Sequence, residues 1–254
     1  MMRLNAIKRY DSIALSAQEV SANLSWLKLV AMAAMLLDHI AIAYLQLRPN
    51  DALEALLRMP GRISIPAFAF LIAYGYEKFS SDRVNYALRL WLFALISEPA
   101  YIAFFDKSGN ALIPLALGAT ILLLEDRVRG RFEHLVPMLA ILMTLFFAWA
   151  TREASIVPIT VLVWMFHRAI RDARYAAAWG APIMLTMLMS NNTHWQYMVM
   201  IPVTLAMIAA SVSLRSRVPV IRVGKWTAYS FYPAHLAVLA LVVSILAVGC
   251  RGCH

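Results

Sequence analysis

An acid and a histidine, Asp38 and His39, stand side by side in the middle of an apolar run from Trp26 to Leu47. If this run crosses a membrane, a charged aspartate in it costs at least about 2.5–3.5 kcal/mol and needs a partner or a water-filled cavity. Neighbouring residues of a helix point about 100° apart, so each of the two side chains should meet a different neighbour. The pair is either a functional site or a buried polar pair that fixes helix packing.

Two further charges lie in apolar segments that could face this pair. Arg62, in "GRISIPAFAF", is expected on the same level as Asp38, where it either pairs with the aspartate or extends to the membrane interface. Glu98, in "ISEPAY", directly precedes a proline that should kink its helix. Intramembrane glutamates are rare, so we favour a functional role for Glu98 over a structural one.

The C-terminal segment "YSFYPAHLAVL" supplies a second histidine. Tyr232 and His235 are three residues apart and therefore share one helix face. A lone histidine in a membrane more often makes a structural hydrogen bond between helices, but two histidines with an Asp, a Glu and an Arg indicate a polar site. Asn110, before "ALIPLALG", either caps the next helix or lines the mouth of a cavity. The remaining histidines at predicted span ends are interpreted as structural and water-facing: His134, His167 and His194.

The elements that must position these groups are membrane helices. Of the 254 residues, 62% are hydrophobic and 15% charged, and a soluble domain is closer to half apolar. Apolar runs of about 17–25 residues are long enough to cross a bilayer. The sequence therefore predicts an all-α polytopic membrane protein with about nine transmembrane helices, near 26–47, 60–77, 89–105, 111–124, 135–150, 154–167, 176–190, 195–213 and 227–249.

The net charge of +9 is distributed unevenly between the two ends of these spans. Sixteen of the 23 Lys and Arg residues fall on the side that holds the N-terminus, and five fall on the other side. This asymmetry predicts a cytoplasmic N-terminus and an external C-terminus. The charge is thus explained by topology, with anionic membrane lipids as partners, and we expect no nucleic-acid binding. The domain prediction is a cytoplasmic arm (1–25), one transmembrane domain (26–249) and an external tail (250–254).

The tail "CRGCH" fits the pattern of c-type haem attachment. We do not expect haem, since no soluble segment is available to enclose a porphyrin; Cys250 and Cys253 should form a disulfide or remain thiols. Two cysteines cannot build a site of four thiolates, and we expect no metal.

Five segments taken in order, "LKLVAMAAMLLDHIAIAYL", "GRISIPAFAFLIAYGYEKF", "SEPAY", "NALIPLALG" and "FYPAHLAVL", resemble the TraX family, that of the pilin N-acetylase of conjugative plasmids. The resemblance covers about residues 26–245. It implies a multi-pass protein of the bacterial inner membrane, distantly similar to transmembrane acyltransferases. Such a protein would move acetyl from cytoplasmic acetyl-CoA to an acceptor at the membrane or its external face, most simply the N-terminus of a pilin subunit. The chain departs from relatives at "ALIP", and some relatives lack a glutamate at the position of Glu98.

The resemblance also implies roles for individual residues. His39 would be the general base, with Asp38 orienting a neighbouring histidine or paired with Arg62. His235, Tyr232 or Arg62 would donate a hydrogen bond to the oxyanion. The phosphates of acetyl-CoA would bind the cytoplasmic cluster, unless that cluster reflects topology alone; its members are Arg215, Arg217, Arg222 and Lys225. Two other interpretations stay open: O-acetylation of an envelope glycan, and a proton-coupled transporter or channel.

Overall fold

A computed structural model describes residues 17–47, 54, 56–128, 135–153, 155–172, 194–213, 221 and 223–251. These residues form helices, turns and short connections, and no strand occurs among them. The α-helices are α1 (Ala17–Leu47), α2 (Ser64–Tyr74), α3 (Arg83–Phe105), α4 (Leu112–Arg127), α5 (Leu135–Thr151), α6 (Ile156–Arg171), α7 (His194–Ser213) and α8 (Lys225–Arg251).

Helices occupy eight of the nine predicted spans. The remaining one, 176–190, lies outside the described residues. Within the described part of the chain, three helices are long and apolar enough to cross a membrane: Glu19–Gln46, Arg83–Phe105 and Trp226–Leu246. The all-helical membrane class is therefore confirmed in its coarse form. α1 begins at Ala17, earlier than the predicted span, because helix-compatible polar residues precede the apolar run and extend the helix beyond it.

The second predicted span is a composite of three helical forms. A 3₁₀ turn, Pro60–Ile63, leads into α2, and a π-helical turn, Gly75–Phe79, ends it. Pro60 is tolerated because it stands in the first turn, where its missing N–H would lack a partner anyway. π-turns are rare and often found at functional sites. The backbone at both ends of this span therefore departs from the α-helix that its hydrophobicity predicts.

The bundle places α1 in contact with α2, α7 and α8, while α3 packs on both α8 and α4. α6 packs against α2 and α4 on the other side of the core. The approach of α4 to α6 is close at Gly118, where a Cβ would stand 2.6 Å from Val163 Cβ. Many apolar side chains of α5 are exposed on the surface of the bundle; Trp149 is 77% exposed. In a membrane this surface faces lipid.

Candidate functional site

His39 of α1 and His235 of α8 meet inside the bundle, and both are buried. His39 Nδ1 lies 2.6 Å from His235 Nε2. The ring planes lie within 10° of each other and the centroids are 4.9 Å apart. Because the centroid separation is much longer than the N···N distance, the two nitrogens lie between the centroids and the rings meet end to end. This is the geometry of a direct hydrogen bond between imidazoles.

The direction of that bond follows from a third group. His235 Nδ1 lies 2.7 Å from the carbonyl oxygen of Phe231. A carbonyl only accepts, so His235 Nδ1 carries the proton, and the neutral ring then has an accepting Nε2. His39 Nδ1 must therefore be the donor in the bond between the rings. The chain of bonds leaves His39 Nε2 with its lone pair, the arrangement that a general base requires.

Asp38 meets a partner that the sequence did not single out. Its Oδ1 lies 3.3 Å from Arg58 Nε, and Arg58 also binds Glu54 at 2.8 Å. No hydrogen bond joins the Asp38 carboxylate to a histidine among the described residues. The expectation that Asp38 and His39 meet different neighbours is confirmed, but His235 and not Asp38 orients the His39 ring. Arg62 lines the same cavity as Asp38, so the predicted proximity of these two residues holds.

Gly61 is the residue that lets the 3₁₀ turn approach α1. A Cβ at this position would stand 2.3 Å from Asp38 Cβ and 2.7 Å from Asp38 Oδ1. Such distances exclude any side chain without displacement of the aspartate. The glycine in "GRISIPAFAF" therefore sets the distance between Asp38 and the turn that carries Arg62.

Glu98 and Asn110 hold the connection between α3 and α4. Glu98 Oε1 accepts from the Gly109 N–H at 2.7 Å, and Oε2 accepts from the Asn110 N–H at 3.2 Å and from the Asn110 amide. Asn110 Oδ1 accepts from the Leu112 N–H at 2.9 Å, at the first turn of α4. Glu98 was expected to have a functional role and Asn110 to cap a helix or line a cavity, but neither lines the two cavities described below. The helix-capping alternative for Asn110 is the one observed, and Glu98 positions the loop.

Tyr232 connects this loop to the histidines. Its Oη accepts the Ala111 N–H at 3.2 Å, and its ring packs edge-on against His39 and His235, with centroids 6.4 and 5.5 Å away. Because the hydroxyl accepts in this bond, its own proton remains able to donate elsewhere. The structure thus brings His39, His235 and Tyr232 together, as the sequence predicted.

Two cavities in the described part of the chain adjoin this site. The smaller, about 300 Å³, opens beside His39 and is lined by His39 but not by His235. Its charged lining consists of Asp38, Arg58, Arg62, Lys107 and Glu153. At its rim, Lys107 Nζ lies 2.7 Å from Glu153 Oε2, and Ser155 Oγ donates to Glu153 Oε1 at 2.8 Å. Burial alone would raise the pKa of the Glu153 carboxyl, but these two bonds outweigh it and hold the pKa below its usual range.

The larger cavity, about 760 Å³, lies toward the N-terminal end of α1. Its charged lining residues are Lys28, Asp82 and Arg89, and its apolar walls include Met35, Phe68 and Leu115. Tyr232 and Ala111 line both cavities. The two cavities therefore lie along different halves of α1 and adjoin at the Tyr232–Ala111 contact, next to the histidines.

A second ionic cluster ties together the π-helical turn Gly75–Phe79, α3, α4 and α6 at one end of the bundle. His167 Nε2 lies 3.1 Å from Glu77 Oε2, and Arg83 bridges Glu77, at 3.5 Å, to Asp126. Tyr76 Oη donates to Asp126 at 2.8 Å. We expected His167 to meet water, and this was wrong: its side chain is fully buried, because α6 continues past it to Arg171 and the neighbouring helices close over it. His134 and the His194 side chain lie outside the described residues.

Several predicted positions have no described side chain. Arg215, Arg217 and Arg222 lie outside the described residues, as does the side chain of Lys225 at the start of α8. The tail residue Cys253 is also outside them. The proposed phosphate-binding role of these basic residues therefore stays a prediction.

Sequence reasoning missed Arg58, Gly61 and Lys28 as site residues. Arg58 was counted only toward membrane topology, and Lys28, at the start of a predicted span, was assigned to neither side of the membrane. The signal available for Gly61 was its position directly before Arg62 in a segment that already stood out.

Comparisons with known proteins identify the family of the chain that carries this site. The family model described as TraX protein matches residues 23–243, most of the chain. A Dichelobacter nodosus protein named "Probable fimbrial assembly protein FimC, serogroup H1" is 27% identical over 235 residues, which covers 84% of this chain and 92% of the relative. No solved structure matches the chain significantly. The chain, with its two facing histidines inside the matched region, belongs to the TraX family.

Proposed function

We propose that this protein is an integral membrane acetyltransferase that moves acetyl from acetyl-CoA to an acceptor at the membrane or its external face. The proposal includes the finer topology: about nine spans in the bacterial inner membrane, with the N-terminus in the cytoplasm and the C-terminus outside. Its first support is membership of the TraX family.

The observation that carries the proposal is the direction of the hydrogen bonds through His235 and His39. The Phe231 carbonyl fixes the proton on His235 Nδ1, and His235 Nε2 fixes the proton on His39 Nδ1. This leaves a basic nitrogen on the one histidine that lines the smaller cavity. We therefore propose His39 as the base and His235 as its positioning residue.

The reaction follows from these assignments. The acceptor amine or hydroxyl attacks the thioester carbonyl while His39 Nε2 takes its proton. The tetrahedral intermediate carries an oxyanion, for which the Tyr232 hydroxyl and Arg62 are donors at the same cavity. Collapse breaks the C–S bond, and the proton on His39 passes to the leaving CoA thiolate. The acceptor is acetylated, CoA is released, and His39 is again neutral.

The acceptor that we propose is the N-terminal amine of a pilin-type subunit. The Dichelobacter nodosus relative is named a fimbrial assembly protein, which supports a substrate in surface-fibre assembly. A hydroxyl of an envelope glycan could react by the same steps, so acceptor assays and not the mechanism separate the two.

The test is acetyl-CoA turnover by detergent-purified protein, with CoA release followed as free thiol. Cys250 and Cys253 would also react with a thiol reagent, so the assay uses a Cys250→Ser/Cys253→Ser background. The critical comparison is His39→Asn. Asparagine keeps an N–H near the position of Nδ1 and can still bind His235, but it has no counterpart of the basic Nε2.

We expect wild type to release CoA faster with a peptide that has a free N-terminal amine than with its N-acetylated copy. His39→Asn should fold and bind acetyl-CoA but lose about 10²–10⁴-fold in turnover. Full activity of His39→Asn would remove His39 as the base. If wild type neither binds nor consumes acetyl-CoA, the acetyltransferase proposal fails, and proton or solute flux in proteoliposomes would then test the transporter alternative.

A further inference from the structure

The larger cavity has an apolar interior and, at one end, two cationic side chains and one carboxylate. Lys28 pairs with no carboxylate among the described residues. Arg89 hydrogen-bonds the Tyr229 side chain, but its Nε is buried without a hydrogen-bond partner among the described residues. The serines of the same lining are Ser21, Ser25, Ser80 and Ser81. A half-buried cation without a directly bonded carboxylate is costly, and an anionic ligand would lower that cost.

The one carboxylate in this lining, Asp82, is close enough to Arg89 for their charges to interact, but its hydrogen bonds go to Asn85. It caps α3 by accepting the backbone N–H of Asn85 at 3.0 Å, and it also binds the Asn85 side-chain amide. These bonds lower the pKa of the exposed Asp82 carboxyl, so it remains ionised in its capping role. The end of the cavity that holds Lys28 and Arg89 is therefore suited to an anion.

The cavity runs from this cationic end to Tyr232, whose ring contacts both histidines. Lys28 and His39 are both on α1, 11 residues apart, which is about 16 Å along the helix axis. Between them the walls are apolar, and at the far end Tyr232 and Ala111 separate the larger cavity from the smaller one. The volume of about 760 Å³ lies in the range of small-molecule sites.

We infer that the larger cavity binds the thioester donor lengthwise, with Lys28 and Arg89 on the phosphates and the thioester beside Tyr232 and His39. This inference rests on the proposed function and adds its donor site. A CoA thioester carries its anionic phosphates at one end of an extended, mostly uncharged arm and its reactive sulfur at the other. That distribution matches a cationic end, apolar walls and a base about 16 Å away.

The site differs from the basic segment that the sequence suggested. Arg215, Arg217, Arg222 and Lys225 follow one another within one short segment of the sequence, whereas Lys28 and Arg89 come from two helices, α1 and α3, and line one cavity. The inference requires Lys28 and Arg89, and it requires none of the four others.

The test compares CoA with pantetheine, which has the same arm but no phosphate. Binding is measured by calorimetry on the detergent-purified full chain for wild type, Lys28→Gln, Arg89→Gln and the conservative variant Lys28→Arg. Arg127→Gln is the matched control, because Arg127 is an exposed cation at the end of α4 that lines neither cavity. Unchanged pantetheine binding shows that a variant is folded.

We expect Lys28→Gln and Arg89→Gln each to weaken CoA binding about tenfold or more, with pantetheine binding unchanged. Lys28→Arg and Arg127→Gln should bind CoA as wild type does. If both Gln variants bind CoA like wild type while wild type still turns over acetyl-CoA, the donor site is elsewhere and the proposed function survives without this inference. If the variants lose phosphatidylglycerol binding in nanodiscs but keep CoA binding, the cavity holds a lipid, which also overturns the inference. Absence of CoA binding by wild type overturns both the inference and the proposed function.

Discussion

His39 and His235 differ in what their second ring nitrogens can do, although both rings are buried at the same place. His235 uses Nδ1 on the Phe231 carbonyl and Nε2 on His39, so both of its nitrogens are occupied. His39 keeps one nitrogen for the cavity. The pair thus resembles a base with its orienting group, where the neutral imidazole of His235 takes the place that a carboxylate has in many hydrolases.

This division of roles predicts different outcomes for two substitutions of His235. His235→Gln can place an amide oxygen near the position of Nε2 and still accept from His39 Nδ1, whereas His235→Leu cannot. We expect His235→Leu to lower kcat by about 10²–10³-fold and His235→Gln to retain more of the activity, with little change in KM for either. The pH profile of kcat should shift in His235→Leu, because His39 loses its partner. Equal activity of the two variants, with an unchanged profile, would reduce His235 to a packing residue.

Gly61 gives a second prediction at the level of a single residue. In Gly61→Ala the new Cβ would stand 2.3 Å from Asp38 Cβ, so either the 3₁₀ turn or the aspartate must move. We expect destabilisation of about 1–3 kcal/mol and a lower Tm, together with loss of activity. Gly224→Ala is the control, since its Cβ meets only Thr227 Oγ1 at 3.4 Å. A Gly61→Ala protein as stable as Gly224→Ala would show that this approach is not tight.

The sequence predicted the site residues that lie deep in apolar runs and missed those at the ends of runs. His39, His235 and Tyr232 stood out because a polar group inside a long apolar segment has few explanations. Arg58 and Lys28 did not stand out, because a cation near a span end is ordinary under the positive-inside rule. Only the packing of α1 against the segment before α2 shows that Arg58 reaches Asp38.

At the scale of elements, the apolar runs located the helices, but they could not give the ends. Hydropathy does not distinguish an α-turn from a 3₁₀ or π-turn, so Pro60–Ile63 and Gly75–Phe79 were merged with α2 into one predicted span. Both of these non-α turns contribute residues to the site. The first holds Gly61 and Arg62, and the second contributes Gly75 and Phe79 to the larger cavity.

The loops at the rim of the smaller cavity are joined by the Lys107–Glu153 ion pair, and this link should depend on pH. The folded pKa of Glu153 is held below its usual range, so its contribution to stability is present above the unfolded pKa and is lost as the pH falls through the folded value. We expect wild type to have a higher Tm than Glu153→Gln at about pH 7 and the difference to vanish at about pH 3. Lys107→Gln should show the same loss at neutral pH. A difference between wild type and Glu153→Gln that persists in acid would assign the effect to packing.

At the scale of the whole molecule, the proposed transfer requires that donor and acceptor meet without an open channel through the membrane. The two cavities adjoin at a thin partition that both share, the Tyr232 ring held to the Ala111 N–H at 3.2 Å, and the proposal places the reaction there. No property of the sequence revealed the partition, because its parts are 121 residues apart in the chain and meet only through the packing of α8 against the start of α4. The sequence indicated a polar site, and the tertiary structure shows the two cavities that adjoin it.

Tyr232 should therefore act both as a hydrogen-bond donor and as a wall, and two substitutions separate these roles. Tyr232→Phe keeps the ring but removes the hydroxyl, so we expect kcat for transfer to fall about 10²–10³-fold with little hydrolysis of acetyl-CoA. Tyr232→Ala removes the wall and joins the cavities, which admits water and longer acyl groups to the thioester. The measurement is the ratio of CoA released to acceptor acetylated, which should stay near that of wild type in Tyr232→Phe and rise in Tyr232→Ala. A ratio that is the same in both variants would mean that the ring does not separate the cavities, and that water is excluded from the thioester by another part of the fold.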